Sequence, residues 1–244
     1  MPDARGHGNS SAPLHGYRYD DLAGDVIGLI QGLKLAAPIL LGHSMGGMTA
    51  ALVASQAAGT IRNGALPGEA LPSEAIRSGP IPSDAIRSET IRSVILVDPT
   101  FLSPHRQREV HESDVAEQHR RLLGLSKSDV LAQLQARHTH RSPEILELLA
   151  EARLQTQLST FDVLTPPNPE YPQLVSNIHV PILLVIGDNT PVVSLETARE
   201  LQNLNPRVRV EQIQGTGHGL PYDQPDRLGA VVRSFLGQVS PGSA

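Results

Sequence analysis

Pro38-Ile39-Leu40-Leu41-Gly42-His43-Ser44-Met45-Gly46-Gly47-Met48 is the stretch on which the rest of the chain is read. An apolar run, Pro38 to Leu41, is followed by glycines on both sides of a serine, then by a run of small and apolar residues from Met48 to Ala58. This pattern predicts a strand, a sharp turn and a helix, with Ser44 at the tip of the turn. A turn that tight forces the serine into a strained backbone conformation, and only small neighbours leave room for it. The hydroxyl would stand above the end of a sheet at a helix N-terminus, where free amides and the helix dipole favour negative charge. A serine placed so suits a nucleophile in acyl transfer, with the Met45 amide facing the developing oxyanion.

Working outward, the same alternation of strand and helix recurs. Asp20 to Leu33 has Leu22, Val26, Ile30 and Leu33 at helical spacing, with Asp20 and Asp21 at the favourable end for acidic residues. Further strands are expected at Ser93–Val97, at Pro181–Ile186 and at Val208–Ile213, and a closing helix from Pro225 to about Leu236. Near-continuous apolar strands separated by helices imply an α/β fold with a mostly parallel sheet covered on both faces. The stretch 103–171 carries helical leucine patterns and little strand signal, so it is expected to form a helical lid over the strand ends. The core is expected in two parts, 1–102 and 172–244. Residues 66–91 hold a degenerate repeat, Pro72-Ser73-Glu74-Ala75-Ile76-Arg77-Ser78 echoed by Pro82-Ser83-Asp84-Ala85-Ile86-Arg87-Ser88, which reads as an expanded loop at about 62–92.

Composition limits the function classes. With 244 residues, 39% hydrophobic and 18% charged, the chain reads as globular and has enough apolar material for one large domain. A net charge of -5 and the lack of a basic stripe argue against nucleic acid or an anionic membrane as partner. The apolar runs are too short to span a bilayer. The chain has no cysteine, which excludes disulfides and thiolate metal sites and is compatible with the cytoplasm. No leader-like segment opens it, and a cytoplasmic location is the expectation. His138-Thr139-His140 lacks the supporting ligands of a metal site.

A serine hydroxyl needs a base, and the base needs an acid to orient it. His218 follows the last strand between Gly217 and Gly219, and it alone of ten histidines sits in a strand-end loop of the C-terminal part of the sheet. Asp188 follows the strand at 181–186 and is the preferred acid. Asp98, after the strand at 93–97, could reach the same histidine and stays open as the alternative. In a parallel sheet these loops gather at one edge, so Ser44, Asp188 and His218 are expected to converge.

Taken together, Pro2-Asp3-Ala4-Arg5-Gly6-His7-Gly8-Asn9-Ser10, Gly42-His43-Ser44-Met45-Gly46-Gly47, Val97-Asp98-Pro99, Gly187-Asp188 and Gly215-Thr216-Gly217-His218 give the chain a resemblance to the α/β-hydrolase superfamily. The resemblance implies hydrolysis of a small ester, thioester or lactone through a serine, histidine and acid triad, without cofactor or metal, on a small-molecule substrate. The same scaffold also supports carbon–carbon bond hydrolysis, lyase and cofactor-free haloperoxidase-type chemistry. The segment Asp3–Gly8 resembles the turn after that family's fourth strand, usually structural. The family's earlier strands, and the loop after its third strand that lends a second oxyanion amide, have no counterpart here. Losing one such donor costs about 10²–10³ in rate. Without a neighbour the strand at Pro38 becomes an open edge, which invites pairing with a second copy. A start upstream of Met1 is the favoured explanation; a catalytically impaired remnant or binding protein, or a partner chain covering the edge, are the others.

Overall fold

The computed structural model describes residues 1–59 and 91–239. Four parallel strands form one sheet in chain order: β1 (Ile39–His43), β2 (Ser93–Val97), β3 (Ile182–Gly187) and β4 (Val208–Ile213). The pairing is in step, with His43 beside Val97 and Val97 beside Val185, so the carboxyl ends of β1, β2 and β3 lie level. That alignment puts the residues that leave these strands, beginning with Ser44 and Asp98, on one rim.

Burial follows the strand order. β2 and β3 are buried at every position, as expected for central strands covered on both faces. One face packs on α1 (Tyr19–Gly32), α2 (Met45–Gly59), α7 (Tyr171–Ser176) and α8 (Leu195–Leu204), through Leu22, Met48, Val53, Leu96, Val175 and Leu201 among others. The opposite face, with Ile95, Val97, Leu183 and Val185, packs on Leu220 of the short α9 (Leu220–Asp223) and on Phe235 of α10 (Pro225–Val239). Helix α2 is apolar all round because it is enclosed; its alanines and glycines let it lie close to β1, β2 and α1 at once.

The two edges of the sheet differ. β4 carries Arg209 and Glu211, joined by an ion pair at 2.6 Å, and Arg209 also reaches Gln238 of α10. Charged side chains of this kind discourage a further strand from adding. β1 has no such protection: Leu41 is 52% exposed, and among the described residues no strand pairs with its outer side.

Between β2 and β3 the chain is helical. Helices α3 (Pro104–His111), α4 (Val115–Leu123), α5 (Lys127–Arg137) and α6 (Pro143–Leu154) and a 3-10 turn at Leu158–Leu164 form an insertion. Serines at 103, 126 and 142 cap α3, α5 and α6 by accepting backbone amides, and proline at the first turn of α3 and α6 reinforces the start. Val130, Leu134, Leu146 and Ala150 give this insertion a small core of its own. The repeat at 66–91 lies almost wholly outside the described residues.

The segment Asp3–Ser10 is held by its polar groups. Arg5 donates to both carboxylate oxygens of Asp25 at 2.6 Å and to the Gly16 carbonyl, and that pairing holds the Arg5 guanidinium above its ordinary pKa. Gly6 accepts the Gln157 amide, which ties this turn to the end of the insertion.

One buried side chain joins the approaches to β3 and β4. Asn205 is 3% exposed; its amide nitrogen donates to the carbonyls of Val175 and Ile178, and its oxygen accepts from the Arg207 amide. Asn205→Ala removes the side-chain partner of the Ile178 carbonyl and of the Arg207 amide, while the Val175 carbonyl keeps the Ile178 amide; each unsatisfied buried polar group costs about 1–3 kcal/mol. A drop of at least about 2 kcal/mol in urea-unfolding stability is the expected outcome, measured by circular dichroism.

Candidate active site

Ser44 sits at the junction of β1 and α2 with φ of 55°, a left-handed conformation that costs a non-glycine residue energy. The turn is fixed from both sides. Ser44 donates its amide to the Val97 carbonyl, and its own carbonyl accepts from Gly47, Met48 and Thr100. A Cβ at Gly42 would collide with the backbone of Gly46, and one at Gly47 would press on Pro99. Glycine is therefore required at 42 because backbone packs directly on backbone. Met45 opens α2, so its amide has no acceptor within the helix.

His218 lies in the loop between β4 and α9. Its Nε2 is 2.9 Å from the Ser44 Oγ, and its Nδ1 is 2.7 Å from an Asp98 carboxylate oxygen. With Asp98 ionised, Nδ1 must carry the proton, and Nε2 is left to accept from the serine hydroxyl. The Asp98 side chain is fully sealed from solvent. It is held by two backbone amides, Val192 on the oxygen that meets His218 and Val193 on the other, both at 3.0 Å. A buried carboxylate demands such partners, and here three donors supply them. Asp98 has φ of 38°, so the backbone reverses at the end of β2 and turns the side chain toward β3 and the histidine loop.

The expectation that Asp188 orients His218 needs correction. Asp188 is exposed, and its carboxylate accepts the amides of Gly215 and Thr216, three and two residues before His218. It closes the histidine loop from beneath while Asp98 meets the ring. The difference is geometric: β2 lies beside the strand that leads into Ser44, whereas β3 lies one strand further away.

A second histidine, unmarked in the sequence reading, supports the first. His43 donates from Nε2 to the His218 carbonyl at 2.8 Å; a carbonyl only accepts, which fixes the His43 tautomer. Its ring is tilted over that of His218, with centroids 4.8 Å apart, and meets the edge of Tyr222 at 6.0 Å. The signal for this role was its position in the elbow, next to the serine.

The other sequence candidates are spread out. His119 bonds the Thr156 carbonyl, His140 bonds Asp223, and His105 pairs with Glu109. The rings of His138 and His140 stand 6.5 Å apart at a steep angle. Among the described residues no group of three or more histidine, aspartate or glutamate side chains is arranged to hold a metal ion, and no helix is long and apolar enough to cross a membrane.

Burial lowers the His43 pKa, although the hydrogen bond to His218 opposes the shift. The folded chain thus resists protonation there, while the unfolded chain takes up the proton near pH 6.5, so proton uptake below that pH favours unfolding. The His43 contribution is complete above about pH 6.5 and is lost as the pH falls below it. His43→Gln should therefore flatten the decline in urea midpoint between about pH 7 and pH 5, as followed by circular dichroism on both proteins.

Comparison with known proteins gives a consistent result. A family model described as the alpha/beta hydrolase fold matches residues 1–225. The mouse sn-1-specific diacylglycerol lipase ABHD11 is 24% identical over 243 residues, covering 96% of this chain and 70% of that protein. The AB hydrolase superfamily protein YisY of Bacillus subtilis is 25% identical over 240 residues, covering 96% of this chain and 79% of that protein. Among solved structures, E-2-(acetamidomethylene)succinate hydrolase superposes with a TM-score of 0.71 at 21% identity, covering 96% of this chain and 80% of the other, a likeness of fold. With the four-stranded parallel sheet and the serine elbow at its rim, the chain belongs to the α/β-hydrolase superfamily.

Proposed function

We propose that the chain is a serine hydrolase that cleaves a small ester, thioester or lactone through Ser44, His218 and Asp98. The observation that carries this reading is the hydrogen-bonded line from the Ser44 Oγ through the His218 ring to the sealed Asp98 carboxylate, at 2.9 and 2.7 Å. Ser44 attacks the substrate carbonyl carbon while His218 Nε2 takes its proton. Negative charge gathers on the carbonyl oxygen, next to the Met45 amide, which has no acceptor within α2, and the N-terminus of that helix. Collapse expels the alcohol or thiol, which takes the proton from His218; in a lactone the leaving group stays attached as a hydroxyl. Water then attacks the acyl-serine, with His218 as base, and releases the acid. Asp98 remains ionised throughout and stabilises the imidazolium.

In the same reading the insertion over 103–171 acts as a lid that limits water at Ser44. The open outer side of β1, with Leu41 exposed, is the surface through which a second copy pairs. A mass of twice the chain by light scattering, reduced to one chain by Leu41→Lys, is expected of that contact; a single-chain mass for the parent removes it.

A fluorophosphonate probe is expected to label Ser44, with labelling abolished in Ser44→Ala. Asp98→Asn should lower kcat on a generic ester by on the order of 10³–10⁴-fold. Asp188→Asn should cost far less, since its carboxylate touches loop amides and not the ring. Absence of labelling in a folded parent chain, or a larger loss at 188 than at 98, overturns the assignment.

A further inference from the structure

His218 stands between two glycines, and neither of them lies in the left-handed region that favours glycine for its backbone. Both are there for space. A Cβ on Gly217 would strike the carbonyl oxygen of Asn189, in the loop after β3. A Cβ on Gly219 would strike Arg141 Nη2 and Asp223 Oδ2 together. One flank of the histidine is therefore packed by a loop of the sheet, and the other by an arginine of the insertion and the aspartate that it binds.

Arg141, between α5 and α6, donates from Nε to Asp223 Oδ1 at 2.7 Å, and His140 Nε2 lies 3.0 Å from the same oxygen. The other oxygen meets the Thr216 hydroxyl at 3.4 Å, and the Asp223 amide donates to the Gly219 carbonyl at 3.0 Å. The Arg141 and Asp223 side chains are only 8% and 13% exposed, so solvent and salt screen the pair weakly. Burial by itself would raise the Asp223 pKa, but the bonds from Arg141 and His140 hold it below the usual carboxylate value. The Arg141 guanidinium also lies 5.4 Å from the centre of the Tyr222 ring; that ring meets His43, and His43 holds the His218 carbonyl. Among the described residues, the hydrogen bonds that leave the turn 138–142 for the core both end on Asp223.

We propose that Arg141 and Asp223 are positioning residues for His218: an ion pair through which the insertion clamps Gly219 and keeps the imidazole in line between Ser44 and Asp98. This rests on the hydrolase reading above and adds a requirement to it, that the base is aligned only while the insertion is docked. A histidine between two glycines has few steric limits of its own on where its backbone sits. Displacing a reacting group by about 1 Å can cost about 10²-fold in rate, so the supporting contacts matter as much as the bonds to the ring.

Gly219→Ala probes the clamp without touching the charged pair. With φ of -76° and ψ of 11° the position accepts alanine, and the added methyl is housed by driving the Arg141 and Asp223 side chains away. In protein shown by circular dichroism to be folded, Gly219→Ala and Arg141→Gln should each lower kcat on p-nitrophenyl acetate, and the rate of fluorophosphonate labelling at Ser44, by roughly ten- to a hundredfold, with KM changed less than about threefold. The double variant should lose no more than either single one, because both remove the same contact. Arg141→Lys, which keeps a charge facing Asp223, should recover part of the loss. Gly28→Ala, at an open position on α1, should leave the rates unchanged. The downfield proton signal between His218 Nδ1 and Asp98, assigned by its absence in His218→Gln, should shift or broaden in Gly219→Ala and Arg141→Gln. Unchanged rates in these two variants, or a double loss equal to the product of the single losses, overturn the clamp and spare the hydrolase reading. A parent that neither labels nor turns over ester, with the proton signal still disturbed in the variants, keeps the clamp and removes the hydrolase reading. An inactive parent with an undisturbed signal overturns both.

Discussion

The arrangement at the rim depends on one buried charge. Asp98 is sealed from water, and a carboxylate there is tolerable only with full hydrogen bonding. Val192 and Val193 from the β3 loop and His218 from the β4 loop provide it, while Ser44 from the β1 loop completes the line. Three strand-end loops are thus joined through one side chain. The same network that pairs the charge also fixes the tautomer and direction of the imidazole.

Around that point the fold places rigidity where geometry must be held. The strained Ser44 is bound by amides on both sides, and His43 and Asp188 brace the histidine loop by its carbonyl and its amides. The insertion is built differently. It has a modest core of its own and meets the rim through polar contacts, chiefly Arg141 and His140 on Asp223. An apolar framework fixes the Ser44, His218 and Asp98 side chains, and polar groups of the insertion face the histidine loop.

Most of the framework was legible in the sequence. Expected strands at 93–97 and 208–213 coincide with β2 and β4, and those at 38–41 and 181–186 match β1 and β3 within two residues. For β2 and β3 this follows because a strand buried on both faces must be apolar throughout, and such a run needs no tertiary information to be seen. Ser44 and His218 were legible for a related reason: an elbow and a strand-end loop have local glycine requirements. The acid was not. Val97-Asp98-Pro99 and Gly187-Asp188 both present an aspartate after an apolar strand, and local pattern cannot rank them.

The sequence by itself determined the parallel sheet, the serine elbow and the histidine loop, since each depends on residues within a few positions of one another. Only the tertiary structure decided which carboxylate meets the imidazole, that His43 supports it, and that Arg141 of the insertion reaches Asp223 beside the histidine loop. These depend on which strand lies next to which and on where an insertion folds back. Contacts between residues 80 to 180 positions apart leave no local pattern for a single sequence to display.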